Sequence, residues 1–403
     1  MAGVAGEEVA RMLYLLLRSL TNWLESVGLY SVFGLLDQVE FRALAAALLS
    51  FVLVLGCGKP VIRWLRAKKI GDTGLSDAAD LAAHAASKAN TPTMGGVLLI
   101  GAIAVSCLLL ADISKFYVQA GLIIMLVHAG IGAIDDYLKL TAKHRPEKSR
   151  QGLYAWEKLV FQLGLAGVIM FFCSRQDSGP LTTVLNLPFQ RSYTPGADLG
   201  QVESGLTMLP VVAYVLIGML LITWTSNASN LTDGMDGLAA GVCGLIGVGL
   251  FVLALIAGSV FAYKLLVPRI SGAEELAVMA ASMSGACLGF LWWNCNPASV
   301  FMGDTGSLAL GALIAYIAMV IRQEFVVLLM AVVFIIEAGS VMLQVGYFKL
   351  TKGPNGQGKR IFRRAPFHHH LHLCLWTETQ VVARFWIITV LCVILGLASV
   401  KIR

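Results

Sequence analysis

Ten separate apolar runs, each approaching the ~20 residues that a helix needs to cross a bilayer, constrain this chain more than any other feature. They fall at about 41–58, 95–111, 116–138, 158–173, 206–225, 237–258, 275–293, 305–321, 325–348 and 381–400. Charged residues make up 13% of the chain and hydrophobic ones 57%, against about 25% and about 45–50% in a soluble domain. A single aqueous core cannot bury so much apolar surface, because such cores stop growing near ~250–300 residues. The runs therefore predict an all-α, polytopic membrane protein with about ten transmembrane helices and lipid as part of its solvent. The sixth run is rich in glycine (Gly241, Gly244, Gly247, Gly249), which suits close helix packing in lipid. Before the first run, Glu7, Glu8, Arg11 and Arg18 interrupt the apolar pattern, so a cleavable signal is not expected. Residues 1–38 read instead as an amphipathic segment lying on or dipping into the membrane.

The formal net charge of +6 could suggest a nucleic-acid partner, but the basic residues are segregated. The connections after runs one, three and nine (Lys59 to Lys88, Lys139 to Lys158, Lys349 to Arg384) carry 19 of the 30 Lys and Arg residues. The positive-inside bias explains this without nucleic acid and places those connections in the cytoplasm, with both termini outside. Residues 174–205 then form an external loop. The eight cysteines (Cys57, Cys107, Cys173, Cys243, Cys287, Cys295, Cys374, Cys392) are scattered singly and include no CxxC pair. They read as small apolar residues rather than a disulfide or zinc framework.

Five polar clusters fall on the predicted cytoplasmic face. Asp135 and Asp136 close the third run. Paired acids there are expensive unless they are neutralised, and with Lys139 one turn on they suit a divalent cation that also meets phosphates. Asn227, Asn230, Asp233, Gly234, Asp236 and Gly237 join runs five and six. So polar a stretch is not expected to continue a lipid-facing helix, and its glycines allow backbone approach to a ligand. The sequons at Asn227 and Asn230 are read as accidental on a cytoplasmic face. Asn294 leads to Phe301 and to Asp304, which stands where a helix cap could form while its second oxygen binds metal. His368, His369, His370 and His372 follow the basic stretch 359–364 and could bind phosphate, transfer protons or hold zinc. Lys88 and Thr93 precede the Gly95-Gly96 start of run two.

Together these residues resemble the phospho-N-acetylmuramoyl-pentapeptide transferases, within the wider group of polyprenyl-phosphate N-acetylhexosamine-1-phosphate transferases. The resemblance spans about Phe41 to Arg403. It is carried by Pro92-Thr93-Met94-Gly95-Gly96, Asp135-Asp136-Tyr137, the 230–238 stretch, Phe301-Met302-Gly303-Asp304, Arg322-Gln323-Glu324 and Ala365-Pro366-Phe367-His368-His369-His370. Two features depart from the family pattern: Asn90 in place of the usual glycine, and a longer loop at Gly353 to Gly358.

The resemblance implies one integral-membrane transferase domain over 1–403, with 349–380 as a His-rich cytoplasmic loop. It implies a multi-pass protein of the bacterial inner membrane, with an active-site cleft on the cytoplasmic face and commonly a homodimer. The implied reaction joins UDP-N-acetylmuramoyl-pentapeptide to undecaprenyl phosphate, giving lipid I and UMP, with Mg²⁺ required. Asp304 would be the Mg²⁺ ligand and Asp135 the acid that deprotonates the lipid phosphate, while Asp136 and His368 to His370 would position metal and pyrophosphate. Lys88, Asn230, Asp233, Asp236, Asn294 and Phe301 would form the nucleoside pocket, with Thr93, Lys139 and Gly234 also at the substrate. A transferase of GlcNAc-1-phosphate from UDP-GlcNAc stays open as an alternative. A transporter predicts acids deep within the spans, and Glu337 is the one such acid found in the sequence.

Overall fold

A computed structural model describes residue 26 and residues 34–68, 91–141, 152–176, 179–195 and 200–401. Lys88 and nearly all of the predicted amphipathic segment lie outside these residues. Among these residues, twelve helices longer than one turn organise the fold: α1 (Val39–Ala67), α2 (Gly96–Leu110), α3 (Phe116–Thr141), α4 (Ala155–Cys173), α5 (Val211–Thr232), α6 (Leu238–Gly258), α7 (Leu276–Asn294), α8 (Gly303–Val320), α9 (Glu324–Met330), α10 (Val332–Leu350), α11 (Phe367–Leu373) and α12 (Glu378–Lys401). Among the described residues, nine helices are long and apolar enough to cross a membrane, and α2 is a shorter apolar helix. The expected all-helical, polytopic architecture is therefore present.

Helix α1 shows how the spans divide their faces. Leu44, Leu48 and Val52 recur every four residues and are 61%, 64% and 53% exposed, whereas Ala43, Ala46, Ser50 and Val54 on the other side are buried. An exposed leucine stripe beside a buried small-residue stripe suits a helix between lipid and protein. Helix α8 is different, since every residue from Thr305 to Val320 is buried. A helix apolar on all sides belongs at the centre of the bundle, and α8 packs against α3, α5 and α2.

Glycines let this central helix approach its neighbours. A Cβ at Gly96 would collide with the Gly306 backbone, one at Gly132 with the Asp304 backbone, and one at Gly311 with the Thr225 carbonyl. The N-terminus of α8 is thus held against the ends of α2 and α3 by backbone contact. This close approach positions the site.

The structure departs from the predicted spans in two places. Run nine, expected as one helix over 325–348, is two helices broken at Ala331. The halves serve different neighbours, α9 packing on α12 and α6, and α10 mainly on α5. The polar stretch from Asn227 does not leave the helix, because α5 continues to Thr232. Its amides are satisfied inside the bundle: Asn227 donates to Gln162 at 2.7 Å and Asn230 to Asp304 and Ser307. Residues within 174–205 carry ordered structure, with antiparallel bridges Val184–Met208 and Tyr193–Val202 around Leu181, Val184 and Tyr193. No disulfide links the cysteines; Cys107, Cys173, Cys243 and Cys287 are buried as expected, while Cys57 and Cys295 are exposed.

Candidate active site at the N-terminus of the central helix

The two adjacent aspartates of α3 do different work. Asp136 Oδ1 accepts the backbone N–H of Asp304 at 3.1 Å. Its Oδ2 accepts the N–H of Thr305 at 3.0 Å and the Thr305 hydroxyl at 2.7 Å. The first N–H groups of a helix have no partner within it, and here a carboxylate from another helix satisfies them. Asp304 itself lies in the first turn of α8, so the cap that its position suggested is supplied by Asp136. Gly303 makes this entry possible at φ +74°, a conformation that favours glycine. A Cβ there would meet Asp136 Oδ2 at 2.8 Å and Thr93 Oγ1 at 3.1 Å.

Asp135 turns the other way. Its Oδ2 meets Lys139 Nζ at 2.6 Å and Lys158 Nζ at 2.7 Å, and its Oδ1 accepts the N–H of Leu153 at 2.7 Å. The same lysines reach Asp304 Oδ2 at 3.0 and 2.8 Å, and Asn230 donates to Asp304 Oδ1 at 2.8 Å. Two ammonium groups therefore clamp two carboxylates from helices far apart in sequence. Lys158 was not among the expected site residues. Its place at the start of α4 carries no local sign that it will meet Asp304.

Asp233 completes the acidic group, its Oδ2 accepting the Gly303 N–H at 3.1 Å. Desolvation, then the nearby Asp304 and Asp136 carboxylates, push its carboxyl well above the usual range. Asp135, Asp136, Asp233 and Asp304 set four carboxyl groups against the ammonium groups of Lys139 and Lys158. A divalent cation fits that excess of acid. Among the described residues no three His, Cys, Asp or Glu side chains form a ready-made cage. Mg²⁺ commonly needs none, taking one or two carboxylates and filling its shell with water and phosphate oxygens.

Asp236, Asn294, Thr93 and Phe301 frame the acids. Asn294 accepts the Gly237 N–H at 3.0 Å and donates to the Val300 carbonyl at 2.8 Å. Asp236 Oδ2 accepts from Asn296 Nδ2 and the Ala298 N–H, both at 3.1 Å, while the Asp236 N–H donates to Glu378 at 2.8 Å. These bonds tie the 233–237 turn to the 294–301 loop. Phe301 is fixed by its N–H to the Pro92 carbonyl and its carbonyl to the Gly95 N–H, each at 2.8 Å. The segment that holds Thr93 is thereby joined to the entry of α8.

The histidine run occupies the short helix α11, where consecutive side chains diverge. His368 is buried and its Nδ1 lies 2.9 Å from Glu337 of α10. The His369 ring sits 4.2 Å from that of His368. His370 turns to the Phe362 and Phe367 rings, 5.5 Å from each, and accepts the Arg363 N–H. Gly234 abuts the His368 ring so closely that a Cβ there would collide with Nε2. The zinc alternative for these histidines gains no support among the described residues.

Known proteins share this arrangement of sequence. The family model described as glycosyl transferase family 4 matches residues 118–322, from α3 through the first acids to the end of α8. The first signature of the phospho-N-acetylmuramoyl-pentapeptide-transferases matches residues 88–100, which include Thr93 and the Gly95-Gly96 pair. A phospho-N-acetylmuramoyl-pentapeptide-transferase of Thermodesulfovibrio yellowstonii is 40% identical over 393 residues, covering 97% of this chain and 100% of that one. With both family descriptions matched and a relative similar end to end, the chain belongs to the phospho-N-acetylmuramoyl-pentapeptide-transferase family of multi-pass membrane proteins.

Proposed function

We propose that the chain transfers phospho-N-acetylmuramoyl-pentapeptide from UDP-N-acetylmuramoyl-pentapeptide to undecaprenyl phosphate, giving lipid I and UMP for peptidoglycan synthesis. The observation that carries this reading is the clamp of Lys139 and Lys158 on Asp135 and Asp304 at the end of a membrane-spanning bundle. It suits a lipid-borne phosphate meeting a soluble nucleotide sugar. A phosphate oxygen of the lipid attacks the sugar-bearing phosphorus of the diphosphate. The bond from that phosphorus to the bridging oxygen breaks, and UMP departs with the electron pair. Such a transfer asks for positioning and charge balance more than covalent help from protein groups.

Asp304 would hold Mg²⁺, which when bound neutralises charge on the diphosphate. Lys139 and Lys158 bring positive charge to the incoming phosphates, and Asp135 takes a proton from any lipid phosphate that arrives protonated. Asp136 keeps the Asp304 backbone in register. His368, His369 and His370 form the diphosphate side of the site. Thr93, Asn230, Asp233, Gly234, Asp236, Asn294 and Phe301 line the nucleotide side, with Phe301 stacking on uracil, and the family likeness assigns Lys88 to the same pocket. The basic connections support a cytoplasmic setting for this face, and the family likeness supports the bacterial inner membrane and a homodimer.

Purified protein given Mg²⁺, undecaprenyl phosphate and either UDP-N-acetylmuramoyl-pentapeptide or UDP-GlcNAc tests the reading. Lipid I and UMP are expected from the first nucleotide sugar, with activity abolished by EDTA and restored by Mg²⁺. Product from UDP-GlcNAc alone would overturn the substrate assignment.

A further inference from the structure

Glu337 lies within the bundle and takes no part in the reading above. Glu337 occupies the second turn of α10 and is wholly buried. A carboxylate at that depth is costly unless it is paired or used. Both of its oxygens point to one residue, 31 positions along the chain. Oε1 accepts the His368 backbone N–H at 3.1 Å, and Oε2 lies 2.9 Å from His368 Nδ1.

An ionised carboxylate only accepts hydrogen bonds, so with Glu337 ionised the proton of this contact sits on Nδ1. The ring is thereby fixed in orientation and tautomer, and its other nitrogen becomes the free one. His368 Nε2 is buried and has no hydrogen-bond partner among the described residues. It faces Gly234, where the absence of a side chain lets the ring approach. Gly234 is itself exposed, between Asp233, which holds the entry of α8, and Asp236, which holds the 294–301 loop. A buried imidazole held at one nitrogen by a carboxylate presents the other in a set direction. The carboxylate also balances the charge when that nitrogen carries a proton.

We propose that Glu337 is a positioning residue for the transfer reaction: from within the bundle it fixes Nδ1 of His368 and aims the unpartnered Nε2 at the substrate's diphosphate beside the 233–236 turn. This rests on the site assignment proposed above, in which His368 meets the diphosphate. Glu337 acts only through His368, and this separates the role from a general contribution to packing.

The test uses the full-length protein in lipid nanodiscs and the single variants Glu337→Gln, Glu337→Asp and His368→Gln, with the Glu337→Gln/His368→Gln double variant. Glu337→Gln is expected to lower kcat about 10- to 100-fold, by analogy with loss of a carboxylate that orients a metal-bound histidine, with KM for the nucleotide sugar changed much less. Glu337→Asp is expected to restore part of the loss. In the His368→Gln background the same change at 337 is expected to cost less than about threefold, because coupled residues are not additive.

An equal loss in both backgrounds would make Glu337 a packing residue and overturn the proposal. So would Glu337→Gln at the wild-type rate while His368→Gln is impaired. His368→Gln at the wild-type rate would instead bring down the site assignment itself. Should Glu337→Gln fail to fold, ¹⁵N-histidine spectra of the wild type give the answer independently. A proton on His368 Nδ1 supports the pairing, and an unprotonated Nδ1 overturns it.

Discussion

Asp136 and Asp304 are joined through the backbone: an oxygen of Asp136 on α3 accepts the N–H of Asp304 on α8 at 3.1 Å. The Asp304 side chain is thereby left for Lys139, Lys158 and Asn230. The two residues are separable by mutation. Asp136→Ala removes three hydrogen bonds at the start of the central helix and is expected to cost about 1–3 kcal/mol, the usual penalty for stranding buried donors. Asp304→Ala is expected to abolish UMP release with a smaller loss of stability. Thermal melting beside the transfer assay checks the contrast; equal destabilisation by both variants would refute it.

Lys158 bridges Asp135 and Asp304 at 2.7 and 2.8 Å. Lys158→Met is expected to lower the transfer rate at least about tenfold, in keeping with loss of a charged group from a phosphoryl-transfer site. The Mg²⁺ concentration for half-maximal activity is expected to fall, because a positive charge next to Asp304 has gone. A Mg²⁺ titration of UMP release reads both quantities. A half-maximal concentration that rises would mean that Lys158 helps to hold the ion's surroundings together.

Gly132 sits where α3 touches the first turn of α8, and a Cβ there would strike the Asp304 backbone. Gly132→Ala must push the two helices apart or distort one of them. Overpacking of this kind costs about 1–3 kcal/mol, and the displaced Asp304 is expected to take activity down with it. Gly101, whose Cβ would meet nothing within 4 Å, is the control: its replacement by alanine is expected to change neither melting temperature nor rate.

Asp233 carries a pH signature. Desolvation and the neighbouring Asp304 and Asp136 push its carboxyl well above the usual range. Below its unfolded pKa both states hold the proton, so its contribution is fully present there. As pH rises from that value through the raised folded one, the unfolded state releases the proton first and stability falls. The metal-free protein is therefore expected to lose melting temperature from acid toward neutral pH through this group. Asp233→Asn, which does not titrate, is expected to flatten that decline. An unchanged slope in the variant would show that other groups govern it.

The sequence by itself determined the number of apolar segments, the all-helical class and the residues with chemistry to offer, because these depend on segment length and local composition. Runs near ~20 residues must become helices in lipid, since no other open backbone satisfies its polar groups there. Asp135, Asp304, Asn230 and His368 were all legible as candidates for the same reason. What each of them touches was decided only by tertiary structure. Adjacent residues on a helix point about 100° apart, so Asp135 turns to the lysines while Asp136 turns to the N-terminus of α8. The polar end of α5 stays helical because Gln162, Asp304 and Ser307 satisfy its amides from other helices. Lys158 enters the site, and Glu337 finds His368, through contacts 146 and 31 residues distant in the chain. Local pattern carries no information about such partners, and they exist only once the bundle has closed around α8.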